Sequence, residues 1–121
     1  MDIDRKQIME TFIESIAAAS DEEYQNRIWI KGQGPECEDF DEFVTYFLHE
    51  SRAVLEEYRN FEITDTQCSL LKKFEDEVRS FIPISRQDYF PELFLKRPEW
   101  KKLVGMAKEI LKAFNYQKGS E

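Results

Sequence analysis

The feature that most constrains this chain is the segment from Glu36 to Asn60, in which apolar residues recur with helical spacing. They fall three or four positions apart, which places them on one stripe of an α-helix. The stripe consists of Phe40, Phe43, Val44, Phe47, Leu48, Val54, Leu55 and Tyr58. Ser51 is the only polar residue where the stripe predicts an apolar one. The segment therefore predicts a long helix that buries one face in a core.

Three further segments show the same period and carry helix-boundary residues. Asp4 can cap the first of them, and the capping-box pattern at 64–67 begins another. Pro98 suits the first turn of the last one. Pro83 is expected to end the third helix, because proline lacks the amide hydrogen that a helix interior uses. The predicted helices lie near 4–19, 37–60, 64–82 and 98–116.

The segments between these helices predict short connections. Residues 20–23 read as a second capping box, with Ser20 as the capping residue. Residues 28–30 fit either a brief strand or the end of a helical turn, and the glycines that follow break the chain. Residues 83–97 are expected to form a connector with at most one helical turn, from Pro91. The prediction is an all-α fold, a compact bundle of about four main helices with an irregular connector that contains Trp29 and Gly32.

The composition predicts one globular domain over residues 1–121. An apolar fraction of 41%, with ten Phe residues, is enough to build a core. The formal net charge is −8. Such an acidic chain is a poor ligand for nucleic acid or an anionic membrane, since both are negative themselves. It favours either a basic partner or simply good solubility.

The cysteines and the N-terminal segment predict a cytoplasmic protein. Cys37 and Cys68 are the only cysteines and form no CxxC pattern, which fits a reducing compartment, although one disulfide stays open. The N-terminal segment is acidic and polar, unlike a secretory signal, and no apolar run is long enough to span a membrane. A monomer is the default expectation.

No motif for catalysis or metal binding is complete in this sequence. His49-Glu50 begins a zinc-protease HExxH motif, but Ala53 stands where the second histidine is needed. Tyr46 occupies the Glu position of a di-iron ExxH pattern. The glycines at 32–34 complete neither a dinucleotide loop nor a phosphate loop. We therefore expect no catalytic residues, no metal, no cofactor and no enzymatic activity, with a carboxylate-based enzyme as a weaker alternative.

The run from Arg27 to Glu42, RIWIKGQGPECEDFDE, resembles small bacterial immunity proteins of contact-dependent growth inhibition and related polymorphic-toxin systems. Weaker similarity continues through 55–58 and 98–116. The resemblance implies a cytoplasmic protein that binds the C-terminal toxin domain of a cognate effector, often a nuclease. It implies no chemistry of the chain's own.

The same run supplies the candidate partner-binding residues. A nuclease must present a basic cleft to phosphates, so a dense set of carboxylates can mimic them and steer association. The candidates are Trp29, Gln33, Glu36, Glu38, Asp39, Asp41 and Glu42. Two simpler interpretations stay open: the acids only favour a helix start, and Trp29 is a core residue rather than an aromatic anchor. A small acidic adaptor that binds another basic protein is the alternative function.

Overall fold

The computed structural model describes residues 5–34, 38–57, 61–88 and 90–116, and within these ranges the chain is helical without strands. The elements are α1 (Arg5–Ser20), α2 (Glu22–Tyr24), a π-helical segment (Gln25–Ile30), α3 (Phe40–Glu56), α4 (Asp65–Asp88), α5 (Pro91–Phe94) and α6 (Pro98–Ala113). The predicted all-α class is confirmed. The predicted cap Asp4 and the stripe residue Tyr58 lie outside the described residues. None of the described helices combines the length and apolarity that a membrane crossing requires.

The four long helices surround one hydrophobic core. The principal contacts join α1 to α3 and α6, and they join α4 to the same two helices. This pattern places α1 opposite α4 and α3 opposite α6. The predicted stripes explain it, because each long helix turns its apolar residues inward, and those of α3 and α6 meet where Phe40 and Trp100 lie 5.7 Å apart between ring centroids.

One predicted capping box is confirmed, and the other is wrong because a single side-chain cap one residue later takes its place. At the start of α4, the Gln67 amide donates to Thr64 Oγ1 over 3.1 Å and the Thr64 amide donates to Gln67 Oε1 over 2.9 Å. At the start of α2 the cap is Asp21, whose carboxylate accepts from the Tyr24 amide over 3.1 Å. Ser20 was the wrong choice because it is still the last residue of α1, where its hydroxyl donates to the Ala17 carbonyl.

The prediction that Pro83 ends its helix is wrong, because α4 continues to Asp88. Pro83 is exposed, while Phe81 and Ser85 on either side of it are buried. The carbonyl that loses its amide partner is that of Arg79, on the exposed side of the helix, where water can replace it. The helix therefore continues through Pro83 because residues on both sides of it are buried in the core. The single helical turn expected from Pro91 is confirmed.

Two other boundaries differ from the predictions for local reasons. The helix predicted over 37–60 begins at Phe40, because Asp39 has extended backbone and caps it, and it is described as far as Glu56. The last helix ends at Ala113 rather than near 116, shortly before Asn115 adopts a left-handed φ of 56°.

Residues 28–30 belong to the π-helical segment, so the helical alternative is correct and the strand is not. Gly32 ends the segment with a left-handed φ of 62°, which glycine adopts without a steric cost. Gln25 anchors its start in the core. Its Nε2 donates to the Ala18 and Ala19 carbonyls over 2.9 and 3.0 Å, and its Oε1 accepts from Trp100 Nε1 over 2.9 Å.

Candidate partner-binding surface

Glu38, one of the predicted binding acids, is tied to the core by two hydrogen bonds. Its Oε1 accepts from Trp29 Nε1 over 2.8 Å and from the Tyr24 hydroxyl over 3.0 Å. Bonds to an ionised carboxylate are stronger than those between neutral groups. Glu38 therefore holds the chain that enters α3 against α2 and the π-helical segment, a role that its place in an acidic run did not indicate.

Trp29 is a core residue, as the simpler interpretation proposed. Only 5% of its surface is exposed. Its ring lies 5.2 Å from Phe43 and 5.9 Å from Trp100, measured between centroids. An aromatic side chain this enclosed offers a partner little apolar surface, so a binding role for Trp29 would have to act through Glu38.

The remaining predicted residues divide into those with a structural task and those without one. Asp39 caps α3, because its Oδ1 accepts from the Glu42 amide over 2.8 Å. Asp41 and Glu42 follow in the first turn, are exposed, and form neither an ion pair nor a side-chain hydrogen bond with a described residue. Gln33 is exposed and Glu36 lies outside the described residues. We call Asp41 and Glu42 the first-turn acids.

The described acids of the run do not form one patch, because Glu38 lies on a different side of the bundle from Asp39 and Asp41. Asp39 and Asp41 line a groove between α3, α4 and α5 that also contains Ser85 and Arg86. That side therefore mixes both signs of charge. Glu38 instead faces α1. Glu38 and Asp39 precede the helix, and the extended backbone at Asp39 directs neighbouring side chains to opposite sides.

The side that faces α1 contains a groove of about 510 Å³ with a different composition. We call it the acid–tyrosine groove, because three carboxylates and three tyrosines line it above the small residues of α1. Its polar and aromatic lining comprises Glu14, Glu38, Glu50, Tyr24, Tyr46 and Tyr116. Tyr46 is 58% exposed, more than any other large hydrophobic side chain of the described residues.

Glu50 is the one carboxylate whose position in this groove is energetically unfavourable. Its Oε1 is buried and has no hydrogen-bond partner among the described residues. Burial raises the pKa of Glu50, His49 on the same helix opposes that effect, and the negative charge of Glu14 adds to it. A carboxylate oxygen that is buried without a hydrogen-bond donor lowers the stability of the folded protein, and a nearby cation would stabilise its charge.

Sequence reasoning missed most of this groove. Glu14 and Tyr116 come from the two ends of the described chain and meet only in the folded protein. Tyr46 is the exception, because the sequence already shows an aromatic residue outside the apolar stripe of α3. Two other large apolar side chains are half exposed, Phe90 and Leu93, both at α5.

The structure also shows where the possible metal ligands of the incomplete motifs lie. Among the described residues, no group of three or more His, Cys, Asp or Glu is arranged to hold a metal ion. His49 is exposed on α3. Cys68 is a buried free thiol, and Cys37 lies outside the described residues.

Comparison with models of known protein families, with curated proteins and with solved structures found no match to this chain. The family resemblance drawn from the sequence therefore enters the functional argument as a proposal, beside the surface chemistry.

Proposed function

We propose that this protein is an immunity protein that binds and neutralises a basic toxin domain, of the nuclease class, in the cytoplasm. The observation that supports the proposal is the exposure of the first-turn acids and their lack of partners among the described residues. Asp41 and Glu42 are charged, exposed and unpaired within the described residues. They are therefore available to Lys and Arg side chains of a partner.

Electrostatics supports a basic partner over other classes. The net charge of −8 repels nucleic acid and accelerates encounter with a positive surface. Exposed carboxylates at the rim of an interface chiefly raise the association rate and make it sensitive to salt. A nuclease cleft, built to attract phosphates, has the complementary charge.

The binding test changes the first-turn acids, which have no structural task among the described residues. Glu38 and Asp39 are left intact because their loss would disturb the fold as well as the charge. Asp41→Asn with Glu42→Gln removes two charges from the proposed surface. The matched control, Asp65→Asn with Asp76→Asn, removes two charges from exposed positions of α4.

The partner is sought by co-purification with the product of the neighbouring gene, followed by binding kinetics at low and high salt. We expect the first-turn variant to associate about tenfold more slowly than wild type at low salt, and the control to stay within about twofold. Equal rates for the two variants would remove the acids from the interface. If the captured partner is a basic protein without toxicity, the adaptor function replaces the immunity function.

A further inference from the structure

The acid–tyrosine groove does not end at Tyr116 but continues along α1. A neighbouring depression of about 800 Å³ shares Thr11, Glu14 and Tyr116 with it and reaches Lys6. The combined lining on α1 runs from Lys6 to Ala18. At 1.5 Å per residue that is a length of about 18 Å, or about three turns of a helix.

The lining is apolar along its centre. Met9 and Phe114 in the extension and Ala18 under the acid–tyrosine groove are half-buried and offer apolar surface, whereas Ile13 and Ala17 beneath them belong to the core. Ala18 allows a close approach from outside because its side chain ends at Cβ. An apolar strip of this length is the surface on which an amphipathic helix lays its apolar face.

The rim is acidic. Glu10, Glu14, Glu38 and Glu50 contribute four carboxylates to the combined lining, against a single cation, Lys6. On the α4 side of α3, by contrast, Arg86 offsets two acids, Asp39 and Asp41. The charge therefore favours a segment with Lys or Arg beside its apolar residues.

From the length, the apolar strip and the acidic rim, we infer that a basic amphipathic helix of the partner docks in this groove, parallel or antiparallel to α1. The inference rests on the proposed function, since it names the part of the partner that is recognised. Tyr46 packs against the apolar face of that helix. A Lys or Arg beside Glu14 and Glu50 relieves the repulsion between these two carboxylates and supplies the positive charge that Glu50 lacks.

The probe is a helical peptide of about four turns built from Leu and Lys with one apolar face, and its matched partner carries Glu in place of Lys. Amide chemical shifts of isotopically labelled protein locate the bound peptide, and fluorescence anisotropy gives the Kd. We expect the Lys peptide to shift α1 and α3 resonances along the groove, and the Glu peptide to shift none.

Variants separate this site from general attraction to an acidic protein. Glu14→Gln with Glu50→Gln should raise the Kd about tenfold, and Tyr46→Ala, which changes no charge, should raise it severalfold. The control Asp65→Asn with Asp76→Asn removes as much charge and should change the Kd less than about twofold. Absence of binding, or equal losses in the control and the groove variant, would overturn the inference.

The captured partner distinguishes this inference from the proposed function. If first-turn variants weaken partner binding and the groove variants do not, the groove is not the docking site and the proposed function stands. If the neighbouring gene product does not bind while the Lys peptide occupies the groove, the groove stands and the immunity function does not.

Discussion

The two halves of α3 are held in the core by different interactions. In the N-terminal half, Phe40 has five other rings at centroid distances of 4.8–6.3 Å, those of Trp29, Phe43, Phe81, Phe94 and Trp100. The C-terminal half buries Val54 and Ser51, and the Ser51 hydroxyl donates to Glu75 over 3.2 Å. One half is fixed by shared aromatic packing and the other by aliphatic burial and a polar pair.

This difference affects which acidic residues of the segment are available to bind a partner. The N-terminal half has the denser acids, yet Glu38 and Asp39 are part of what holds it together. Further along α3, Glu50 makes no such contribution through its buried oxygen. Sequence density of carboxylates is therefore a poor guide to which of them a partner can use.

The largest expected effect compares the two halves directly. Phe40→Ala removes a ring from five aromatic neighbours and should lower the free energy of unfolding by about 3–5 kcal/mol. Val54→Ala, at the buried C-terminal half, should cost only about 2 kcal/mol. Urea denaturation followed by circular dichroism measures both. Equal costs would show that the aromatic half is not the more strongly coupled one. If Phe40→Ala does not fold, Phe40→Leu provides the comparison.

An intermediate effect compares structural with surface acids in the N-terminal half. Glu38→Ala leaves Trp29 Nε1 and the Tyr24 hydroxyl without their acceptor and should cost about 1–3 kcal/mol at any salt concentration. Removing the first-turn acids should cost roughly 0.3–1 kcal/mol for each charge, falling as salt screens the helix dipole. Thermal melts at two ionic strengths separate the cases. A cost for Glu38→Ala that fades with salt would assign Glu38 to the surface group.

The smallest effect is a gain. Glu50→Gln removes a charge that burial and Glu14 disfavour, so stability at neutral pH should rise, by well under about 1 kcal/mol because Glu50 is only partly buried and solvent screens its charge. The pKa of Glu50 is raised in the folded state above its ordinary 4.5, so the folded protein binds the proton more tightly. The penalty is absent below pH 4.5, grows as pH rises through the folded pKa, and is complete above it. Melts from pH 4 to pH 7 should show the gain appear over that range, and a gain that persists at pH 4 would contradict this origin.

Helix positions were readable from the sequence because their apolar residues follow the helical period over many turns. The local effect of Pro83 predicts a helix end, but the buried residues Phe81 and Ser85 continue the core face past it. No local signal predicts the π-helical segment, and Gln25 at its start bonds to Trp100, which lies 75 positions away in the sequence. Local signals predict where the helices lie. The π-helical segment and the continuation of α4 past Pro83 go with contacts that local signals do not show.

The candidate site was less readable than the fold. Adjacency in the chain predicts a single acidic cluster, whereas Glu38 faces α1 and Asp39 and Asp41 line the groove beside α4. The acid–tyrosine groove needs Glu14 from α1 beside Glu50 from α3, and no periodicity in one segment reveals such a meeting. Burial of Trp29 likewise depends on rings from three other elements.

The contact between α1 and α6 sets the order in which this chain can fold. It is the most extensive contact between described helices, and the bond from Trp100 to Gln25 spans most of the sequence. During synthesis, α3 can cover part of the apolar face of α1, but the part that packs on α6 is covered only when α6, the last described helix, has emerged. Contacts between distant parts of a chain slow the search for the native state. The side of α1 that packs on α6 therefore stays uncovered until translation has passed Ala113, and during that interval chaperones and proteases have access to it.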